Sequence, residues 1–338
     1  MSKQLRLVLI GFGNAAQAFV KLLLEKERYL AEKEDVNVLV SAIAGNRKGA
    51  LIDSNGLDLR SILNFLNTNS KFENALDRNT LDVIAQAEAD VAVELSPLSI
   101  ADGQPAIGHI KAALNRGMHV VTANKGPIAW AFEELSAMAE SRGVQFLYET
   151  TVMDGAPIFN LARHCLNGCE ILSFEGILNT TTNFILEGME QGKAFDEAVA
   201  EAQRRGFAEA DPAMDITGID AAAKTCALAN AFMRARLTPP EVMTRGIEDI
   251  TPDDLIKAYA AGQKIKLLCR GFRDGDRVRG VVEPVRFPLT HPFVRVTGTS
   301  SVLTVETDLM GKITVIEHDP EIEQTAFGIY SDMLQLIR

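Results

Sequence analysis

Short apolar runs alternate with helical patterns through the first half of the chain. The runs LRLVLI, VNVLVSAIA, DVAVEL and MHVVTAN are separated by amphipathic segments such as AAQAFVKLLLEKERYL and IGHIKAALNRG. Strands that are apolar throughout are typical of a parallel sheet that helices cover on both faces. The alternation therefore predicts an α/β domain with a doubly wound parallel sheet, which we place at residues 1–150.

The pattern changes after Glu149, where helices become longer and strands more widely separated. A chain of 338 residues also exceeds the roughly 250 to 300 residues that a single hydrophobic core usually serves. We therefore expect a second domain of α+β type over residues 151–310. The last segment, residues 311–338, has helical spacing in IEQTAFGIYSDMLQLI and is predicted to complete the first domain.

The first apolar run leads directly into the glycine-rich loop Gly11-Phe12-Gly13-Asn14-Ala15-Ala16, and a helical pattern follows. In such a loop the first glycine permits a tight turn, and the second lets the backbone approach a pyrophosphate. The small last residue lets helix and strand pack closely. The helix N-terminus then faces the negative charge. We interpret the loop as a Rossmann-type nicotinamide-dinucleotide site; an ordinary strand-to-helix turn is the alternative.

The end of the second apolar run bears on the choice between NADP and NAD. NAD sites usually place an Asp or Glu there, which accepts a hydrogen bond from the ribose 2′-hydroxyl. This chain has Gly45-Asn46-Arg47-Lys48 instead, with no carboxylate and two cations. Because Arg47 and Lys48 suit a 2′-phosphate, the sequence predicts NADP as the preferred cofactor. Two solvated surface cations are the alternative interpretation.

Charge and cysteine content exclude several classes of partner. The net charge of -11 argues against nucleic-acid binding, which depends mainly on Lys and Arg side chains at phosphates. The apolar run near the N-terminus is too short for a signal peptide, and no later segment reaches a membrane-spanning length. Four cysteines could form too few disulfide bonds to stabilise a chain of this length. We expect a cytoplasmic protein with reduced thiols and no membrane partner.

One lysine, Lys224, lies in a segment that is otherwise mostly small or apolar, IDAAAKTCALANAFM. This composition is typical of a buried helix that carries one charge. Asp220 precedes Lys224 by four residues, so the two side chains share a helical face. A lysine in such surroundings suits acid–base chemistry. A plain helix salt bridge is the alternative.

Several motifs together resemble homoserine dehydrogenase. They are VVTANKGPIA at 120–129, YETTVMDGAPIF at 148–159, GILNTTTNFIL at 176–186 and EADPAMDITGIDAAAK at 209–224. The resemblance spans nearly the whole chain and is to the short form of the family, without a regulatory ACT domain. It implies NAD(P)-dependent interconversion of homoserine and aspartate 4-semialdehyde, with hydride passing between the substrate C4 and the nicotinamide. It also implies a homodimer built through a sheet of the second domain, which is then the catalytic and dimerisation domain.

The resemblance also implies roles for individual residues. Lys125 and Lys224 are the expected proton-transfer pair, and Lys125 follows a predicted strand end, where ligands collect in open α/β sheets. Four residues are implied to bind the small amino-acid substrate: Glu209, which pairs with its ammonium group, and Asp215, Asp220 and Thr181. The predicted cofactor-binding set consists of the glycine loop together with Arg47, Lys48, Ser96, Pro97, Asn124 and Lys125.

The segment YETTVMDGAPIF resembles a family loop that binds a monovalent cation, Na+ or K+, mostly through backbone carbonyls. The matching positions are Glu149, Val152, Asp154 and Ala156. Carbonyl ligation leaves no signature of its own in a sequence. A turn that only joins the two domains is therefore the alternative.

Two stretches depart from the family pattern. Asn179-Thr180-Thr181-Thr182-Asn183 has Thr180 where the family usually has glycine, which permits close backbone approach. The acidic stretch from Asp319 to Gln324 replaces a glycine-alanine-glycine loop that normally lies against the cofactor. These departures leave two other functions open. One is a diverged reductase or reductoisomerase acting on another small hydroxy or oxo acid, and the other is a protein that binds a dinucleotide without turnover.

Overall fold

The computed structural model describes residues 3–337, which divide into two compact units. The first unit comprises the chain up to Pro127, Ala131–Pro157 and the chain from Glu321 onward; the second comprises Ile128–Trp130 and Ile158–Pro320. The main boundary therefore falls after Pro157 rather than after residue 150. The prediction that all of 311–338 completes the first domain is corrected, because residues 311–317 pair within the sheet of the second unit.

Strands occur in both halves of the chain. In chain order they are β1 Lys3–Ile10, β2 Val36–Gly45, β3 Gly49–Ile52, β4 Val91–Glu94, β5 His119–Thr122, β6 Phe146–Leu147, β7 Ile171–Ile177, β8 Met243–Thr244, β9 Gln263–Asp274, β10 Arg277–Pro288, β11 Ser301–Thr307 and β12 Gly311–Glu317.

The helices alternate with the strands in the first half and cluster in the second. In chain order they are α1 Asn14–Lys33, α2 Leu59–Leu66, α3 Thr80–Gln86, α4 Ala106–Asn115, α5 Lys125–Ser141, α6 Ile158–Asn160, α7 Thr180–Glu190, α8 Phe195–Arg204, α9 Ala213–Ile216, α10 Ile219–Met233, α11 Pro252–Ala260 and α12 Ile322–Gln335. Within residues 3–337, none of the helices has both the length and the apolar character required to cross a bilayer.

The first unit contains a sheet with the strand order β3-β2-β1-β4-β5-β6. All of these strands except β3 are parallel, and their apolar side chains are largely buried on both faces. The predicted Rossmann-type, doubly wound α/β fold is confirmed. One element differs from a fully parallel sheet, because β3 is antiparallel to β2 and forms a hairpin with it, with Gly45 paired to Gly49.

The C-terminal helix α12 belongs to the core of the first unit. It packs against α1, and both helices bury apolar side chains there, including Phe19 and Val20 of α1 and Ile329 and Met333 of α12. Burying a side chain of this kind stabilises a fold by about 1.5–3 kcal/mol. The predicted C-terminal helix is therefore present and completes the first unit, although β12, which precedes it, lies in the second.

The second unit contains a mainly antiparallel sheet with the strand order β12-β11-β7-β9-β10-β8. Only β8 and β10 pair in parallel. Helices α7, α10 and α11 pack on this sheet through β9, and α10 also contacts β10. The predicted α+β architecture of the second half is confirmed, and it places the N-termini of α7 and α10 where the candidate substrate residues lie.

A fully buried lysine of β9 joins α7 to a loop before β11. The Nζ of Lys266 donates to Asn183 Oδ1 at 2.6 Å, to the Val296 carbonyl at 2.9 Å and to Glu187 Oε1 at 3.1 Å. Glu187 Oε2 accepts in turn from the Gly298 N–H at 3.0 Å. Burial lowers the pKa of the Lys266 ammonium, and the Glu187 carboxylate opposes that shift. All three ammonium hydrogens are satisfied, so the buried charge is compensated.

Candidate active site

Gly11 follows β1 in a backbone conformation that favours glycine. Its φ is +94°, and a Cβ at this position would overlap the Leu95 carbonyl. The Gly11 N–H donates to the Ala44 carbonyl at 2.8 Å. The next side chain, Phe12, packs edge-on against Phe72 with 5.4 Å between ring centroids. The turn from β1 into the glycine loop therefore requires glycine at position 11, because any side chain there would collide with the Leu95 carbonyl.

The start of α1 leaves its first backbone N–H groups uncapped. Gly13 is the N-cap, no side chain accepts from the first turn, and that turn contains no acidic residue. A Cβ on Gly13 would meet nothing within 4 Å. Along the loop Asn14 is exposed, Ala15 is half-buried and Ala16 is fully buried. Uncapped N–H groups facing open space fit a phosphate group.

Arg47 and Lys48 lie in the turn of the β2–β3 hairpin. Arg47 is exposed and Lys48 is half-buried. The Lys48 carbonyl accepts from the Phe72 N–H at 2.9 Å, which anchors the turn to the chain that follows. No carboxylate occurs in the turn between Gly45 and Gly49. Two cations are thus presented at the carboxyl end of β2.

The carboxyl ends of β4 and β5 bring predicted cofactor residues together. Asn124 Nδ2 donates to the Ser96 carbonyl at 3.2 Å, while Asn124 Oδ1 accepts from the Gly126 N–H at 3.0 Å and caps α5. Lys125 is the first residue of α5 and is half-buried. Pro97 is exposed beside Ser96. Asn124 thus holds both the loop after β4 and the helix that begins with Lys125.

The same strand ends hold a buried carboxylate that the sequence analysis did not select. Glu94, the last residue of β4, is fully buried. It accepts from the Ser96 N–H at 3.1 Å and from Thr122 Oγ1 at 3.2 Å. The available signal was an acidic residue closing the otherwise apolar run VAVE, since an unpaired carboxylate is costly to bury.

Four side chains of the second unit form a polar group that we call the α7–α10 cluster: Asn179, Asp215, Asp220 and Lys224. Asn179 caps α7, and its Nδ2 donates to Asp215 Oδ1 at 2.7 Å and to Asp220 Oδ2 at 3.1 Å. Lys224 Nζ donates to the Leu178 carbonyl at 2.6 Å. The backbone before α7, the short helix α9 and the first turns of α10 therefore hold two carboxylates and one ammonium together.

Lys224 lies on a helix that is buried almost throughout, as its sequence predicted. Its side chain is 17% exposed, and its Nζ lies 3.8 Å from Asp220 Oδ2. That separation is longer than the 2.6 Å to the Leu178 carbonyl. The ion pair with Asp220 exists, but the carbonyl is the closer partner, so a simple salt bridge between helix neighbours does not describe the site.

The surroundings of Asp215 oppose its ionisation. Burial raises the pKa of its carboxyl, and the nearby Asp220 carboxylate raises it further. The Asn179 amide, the Thr181 hydroxyl and the Lys224 ammonium act in the opposite direction. A carboxyl held in this balance responds to the arrival of a positively charged ligand group.

Replacing Asp215 by Asn is expected to stabilise the protein near neutral pH. A folded-state pKa raised above 3.8 means that stability is fully present below that value and is lost as the pH rises through the folded pKa. The permanently neutral amide escapes this loss, so the melting temperature of Asp215→Asn exceeds that of the unmodified protein at pH 7 and the difference disappears in acid. Asp249→Asn, at an exposed position, is the control. An equal difference at every pH would contradict the expectation.

The two remaining substrate residues differ in their surroundings. Thr181 is buried in the first turn of α7, and its Oγ1 donates to the Phe207 carbonyl at 2.7 Å. Glu209 is exposed in the loop between α8 and α9, where its carbonyl accepts from Gln203 Nε2 at 3.2 Å. Among the hydrogen bonds and ion pairs described within residues 3–337, none joins the Glu209 carboxylate to the α7–α10 cluster.

The loop predicted to bind a cation lies against α12 within the first unit. Asp154 has a φ of 35°, and its Oδ1 accepts from Thr325 Oγ1 at 2.8 Å. The Glu149 N–H donates to Asp332 Oδ2 at 2.8 Å. Val152 and Ala156 are both buried. The loop is thus fixed to the C-terminal helix by contacts at both of its ends.

The two departures from the family pattern have structural explanations. Thr180 is the half-buried first residue of α7 and is not among the positive-φ residues, so its backbone does not require glycine. In the acidic stretch, Asp319 Oδ1 accepts from Ser300 Oγ at 3.2 Å, and the Glu321 N–H donates to Gln324 Oε1 at 2.9 Å at the start of α12. Ile322 and Glu323 of this stretch line a cavity of about 380 Å³ together with α1.

The glycine loop and the switch of strand order between β1 and β4 define a nucleotide-binding α/β fold, and the α7–α10 cluster adds an ammonium group and carboxylates on a second unit. This is the organisation of an NAD(P)-dependent oxidoreductase. A family model described as "Homoserine dehydrogenase, NAD binding domain" matches residues 11–149, and one described as "Homoserine dehydrogenase" matches residues 157–334. The chain belongs to the homoserine dehydrogenase family.

Individual relatives agree with the family models over nearly the whole chain. Homoserine dehydrogenase from Methanocaldococcus jannaschii is 39% identical over 98% of this chain and 98% of its own. An NAD(+)-dependent homoserine dehydrogenase from Pseudomonas canavaninivorans is 34% identical over 98% of this chain and 96% of its own. The crystal structure of a homoserine dehydrogenase from Thiobacillus denitrificans has a TM-score of 0.84 at 30% identity, covering 99% of this chain and 74% of that one.

Proposed function

We propose that this chain interconverts L-homoserine and L-aspartate 4-semialdehyde with NADP as its preferred cofactor. The observation that carries the proposal is the α7–α10 cluster, in which the Asn179 amide donates to two carboxylates and Lys224 Nζ lies 3.8 Å from one of them, in a chain of this family. A small zwitterionic substrate needs both signs of charge in its pocket, and the cluster supplies both. The resemblance of EADPAMDITGIDAAAK to the family motif supports the same assignment.

Lys224 and Lys125 are the proposed acid–base pair. In the oxidative direction the C4–H bond of homoserine breaks with its electron pair, and the hydroxyl proton passes to a lysine amine. A bound NADP+ supplies the acceptor for that hydride. In the reductive direction the reduced cofactor, when bound, would return the hydride to C4 and an ammonium gives the proton to the carbonyl oxygen, so atoms and charge balance in both directions. The Leu178 carbonyl, at 2.6 Å from Lys224 Nζ, fixes the direction in which Lys224 presents its proton.

The remaining side chains are proposed to hold the substrate. Asp215 and Asp220 orient Lys224 and the amino-acid end of the substrate, and Thr181 contacts the substrate from the first turn of α7. Glu209 is proposed to pair with the substrate ammonium. Its exposed position in a loop between helices leaves its carboxylate available for that role.

The preference for NADP rests on the hairpin turn that carries Arg47 and Lys48. Replacing both by Ala is expected to weaken NADPH binding while leaving NADH binding nearly unchanged, because only NADPH carries the 2′-phosphate. A charge-assisted hydrogen bond contributes about 1.5–3 kcal/mol, so a loss of about tenfold or more is expected. Titration of both reduced dinucleotides measures it, with Lys71→Ala as the exposed control. The Pseudomonas relative is an NAD(+)-dependent enzyme. Tighter binding of NADH than of NADPH by the unmodified protein would reject the proposed preference for NADP.

The carbonyls of Glu149, Val152, Asp154 and Ala156 are proposed to bind Na+ or K+. Support comes from the rigid attachment of the loop, where a Cβ on Gly155 would overlap the Gln324 carbonyl and a Cβ on Gly328 would approach the Asp154 carbonyl to 2.9 Å. Turnover in buffers containing K+, Na+ or only a bulky organic cation tests the proposal. Activity is expected to fall in the organic cation and to return on addition of K+ or Na+. Equal activity in all three rejects the site.

A homodimer formed through the second unit is the proposed assembly. The hairpin formed by β11 and β12 exposes the apolar side chains of Leu309 and Met310 in its turn and of Ile316 on the edge strand β12. Exposed apolar side chains at a sheet edge suit an interface between copies. Sedimentation equilibrium distinguishes a dimer from a monomer directly.

We also propose that the protein resides in the cytoplasm. All four cysteines are free, with Cys165 exposed and Cys226 and Cys269 buried. Free thiols are typical of reducing compartments.

The direct test of the reaction is absorbance of the reduced nicotinamide when purified protein is mixed with L-homoserine and NADP+. Homoserine-dependent reduction of the cofactor is the expected result. Serine and threonine, which carry a hydroxyl on a shorter or branched side chain, serve as comparison substrates. Cofactor reduction with another hydroxy acid but not with homoserine would identify a diverged oxidoreductase instead.

A further inference from the structure

The buried carboxylate of Glu94 lies at the point where the strand order of the first sheet reverses. Its Oε1 accepts from the Ser96 N–H at 3.1 Å and from the Ser96 hydroxyl, and its Oε2 accepts from Thr122 Oγ1 at 3.2 Å. His109 of α4 approaches Oε1 with its Nδ1 at 3.5 Å. Every contact therefore reaches Glu94 from within the first unit, and its side chain has no exposed surface.

Both arms of this network end on Asn124. Along one arm, Glu94 binds the backbone N–H of Ser96, whose carbonyl accepts from Asn124 Nδ2 at 3.2 Å. Along the other, Glu94 binds the Thr122 hydroxyl, which accepts from the Asn124 N–H at 3.0 Å. Asn124 then caps α5 immediately before Lys125. One carboxylate thus fixes the loop after β4 and the start of α5 together.

The residue that follows Glu94 lies against the glycine loop. The Leu95 carbonyl would overlap a Cβ on Gly11, and the Leu95 N–H donates to the Ile10 carbonyl at 2.7 Å, so pairing with β1 rather than the Glu94 side chain holds Leu95 there. In open α/β sheets a ligand binds outside the carboxyl ends of the strands at the switch point, which here lies between β1 and β4. A fully buried side chain at this place does not touch the ligand, so it acts through the residues that it orders. Burying a carboxylate costs several kcal/mol unless it is compensated.

We propose that Glu94 is a positioning residue for the dinucleotide, and specifically for its nicotinamide half. The inference rests on the dinucleotide binding in the proposed function. The glycine loop and the β2–β3 turn belong to the half of the sheet that takes the adenosine, whereas Ser96 and Asn124 belong to the half formed by β4 to β6. Loss of Glu94 therefore weakens binding of the intact dinucleotide and leaves binding of an adenine nucleotide alone unchanged.

Titration of NADPH, NADH and ADP into Glu94→Leu, Glu94→Gln and the unmodified protein tests this. The Leu variant is expected to bind the preferred dinucleotide about tenfold or more weakly, since hydrogen bonds to a charged group contribute about 1.5–3 kcal/mol. Its affinity for ADP remains within about twofold. The Gln variant is expected to recover most of the dinucleotide affinity, because the amide still accepts from Ser96 and donates to Thr122. Glu88→Gln, at an exposed position near β4, is the control.

Thr122→Val provides a second variant that leaves the Glu94 charge in place. Thr122 is fully buried, and valine keeps its shape while removing the bridge to Asn124. The same selective loss of dinucleotide affinity is expected. Unchanged dinucleotide binding in both Glu94→Leu and Thr122→Val, or an equal loss of ADP affinity, would overturn the positioning role. Absence of dinucleotide binding by the unmodified protein would overturn this inference and the proposed cofactor together, whereas absence of homoserine turnover alone would overturn only the proposed reaction.

Discussion

Lys224→Met is expected to reduce kcat for homoserine oxidation by about 10²- to 10⁴-fold, the range that a positioned acid–base group contributes. Methionine keeps the length and apolar stem of lysine, so it fits the small-residue surroundings of α10, where Ala223, Thr225 and Cys226 are all buried. The dissociation constant of the dinucleotide is expected to stay unchanged, because the glycine loop belongs to the other unit. Steady-state kinetics and a dinucleotide titration measure the two quantities.

Lys224→Arg separates proton transfer from charge. Arginine retains a cation but does not give up its proton at physiological pH, so a loss of activity similar to that of Lys224→Met is expected. Lys257→Met is a matched control, because the Lys257 side chain is 67% exposed on α11 and pairs with Asp253, which is also exposed. Full activity in Lys224→Met, with normal folding, would remove this lysine from the proposed mechanism.

Lys266→Met is expected to lower the free energy of unfolding by about 3–5 kcal/mol. Removing one partner of a buried ion pair leaves the other uncompensated, and that is the magnitude such changes have. Here Glu187 loses its ammonium partner, and both Asn183 Oδ1 and the Val296 carbonyl lose a donor. Urea denaturation of the whole protein measures the loss. The change is expected in the transition of the second unit, because Lys266, Glu187 and Val296 all lie in it.

The neighbouring lysine of the same strand supplies the control for that measurement. Lys264 pairs with Glu190 at 2.7 Å, but its side chain is 23% exposed, compared with 1% for Lys266. Glu190 and Glu187 are both 17% exposed, so the difference lies in the lysine: only Lys266 also donates to Asn183 Oδ1 and the Val296 carbonyl, which its loss leaves without that donor. Lys264→Met is therefore expected to cost about 1 kcal/mol or less. Equal costs for the two variants would show that the depth of burial does not control the contribution of these pairs.

Features that depend on a few adjacent residues could be predicted from the sequence. The glycine loop is such a case, since Gly11, Gly13 and Ala16 follow a strand and precede a helix within one short stretch. The buried helix around Lys224 is another, because its small and apolar composition alone indicates burial. Local sequence specifies local backbone geometry, so these predictions needed no knowledge of distant contacts.

Features that depend on which strands become neighbours could not be predicted in the same way. Glu94 closes an apolar strand, and its partners Thr122 and His109 lie 28 and 15 residues further along the chain. The acidic residue that ends the run VAVE is a signal, but only these distant partners distinguish Glu94 from a carboxylate exposed at a strand end. The boundary near Pro320 was missed for a related reason, because β12 joins the second sheet through β11, whereas α12 returns to α1.

The antiparallel edge strand β3 also could not be predicted from the sequence. The sequence from Gly45 to Ile52 is compatible with a loop that leads to a parallel strand and with a tight hairpin. The hairpin is selected by pairing of Ala42, Ile43 and Ala44 with residues 50–52. The hairpin also bears on the proposed NADP site, since it places Arg47 and Lys48 in a turn rather than in an extended loop.

A crystal structure with homoserine and an unreactive NADP+ analogue tests the central claim most directly. The measured quantities are the distances from Lys125 Nζ and Lys224 Nζ to the substrate C4 hydroxyl oxygen. The account predicts that both ammonium groups lie within hydrogen-bonding reach of that oxygen, about 2.6 to 3.2 Å or through one water. A substrate hydroxyl bound away from both lysines, or Lys224 turned into bulk solvent in the complex, would contradict it.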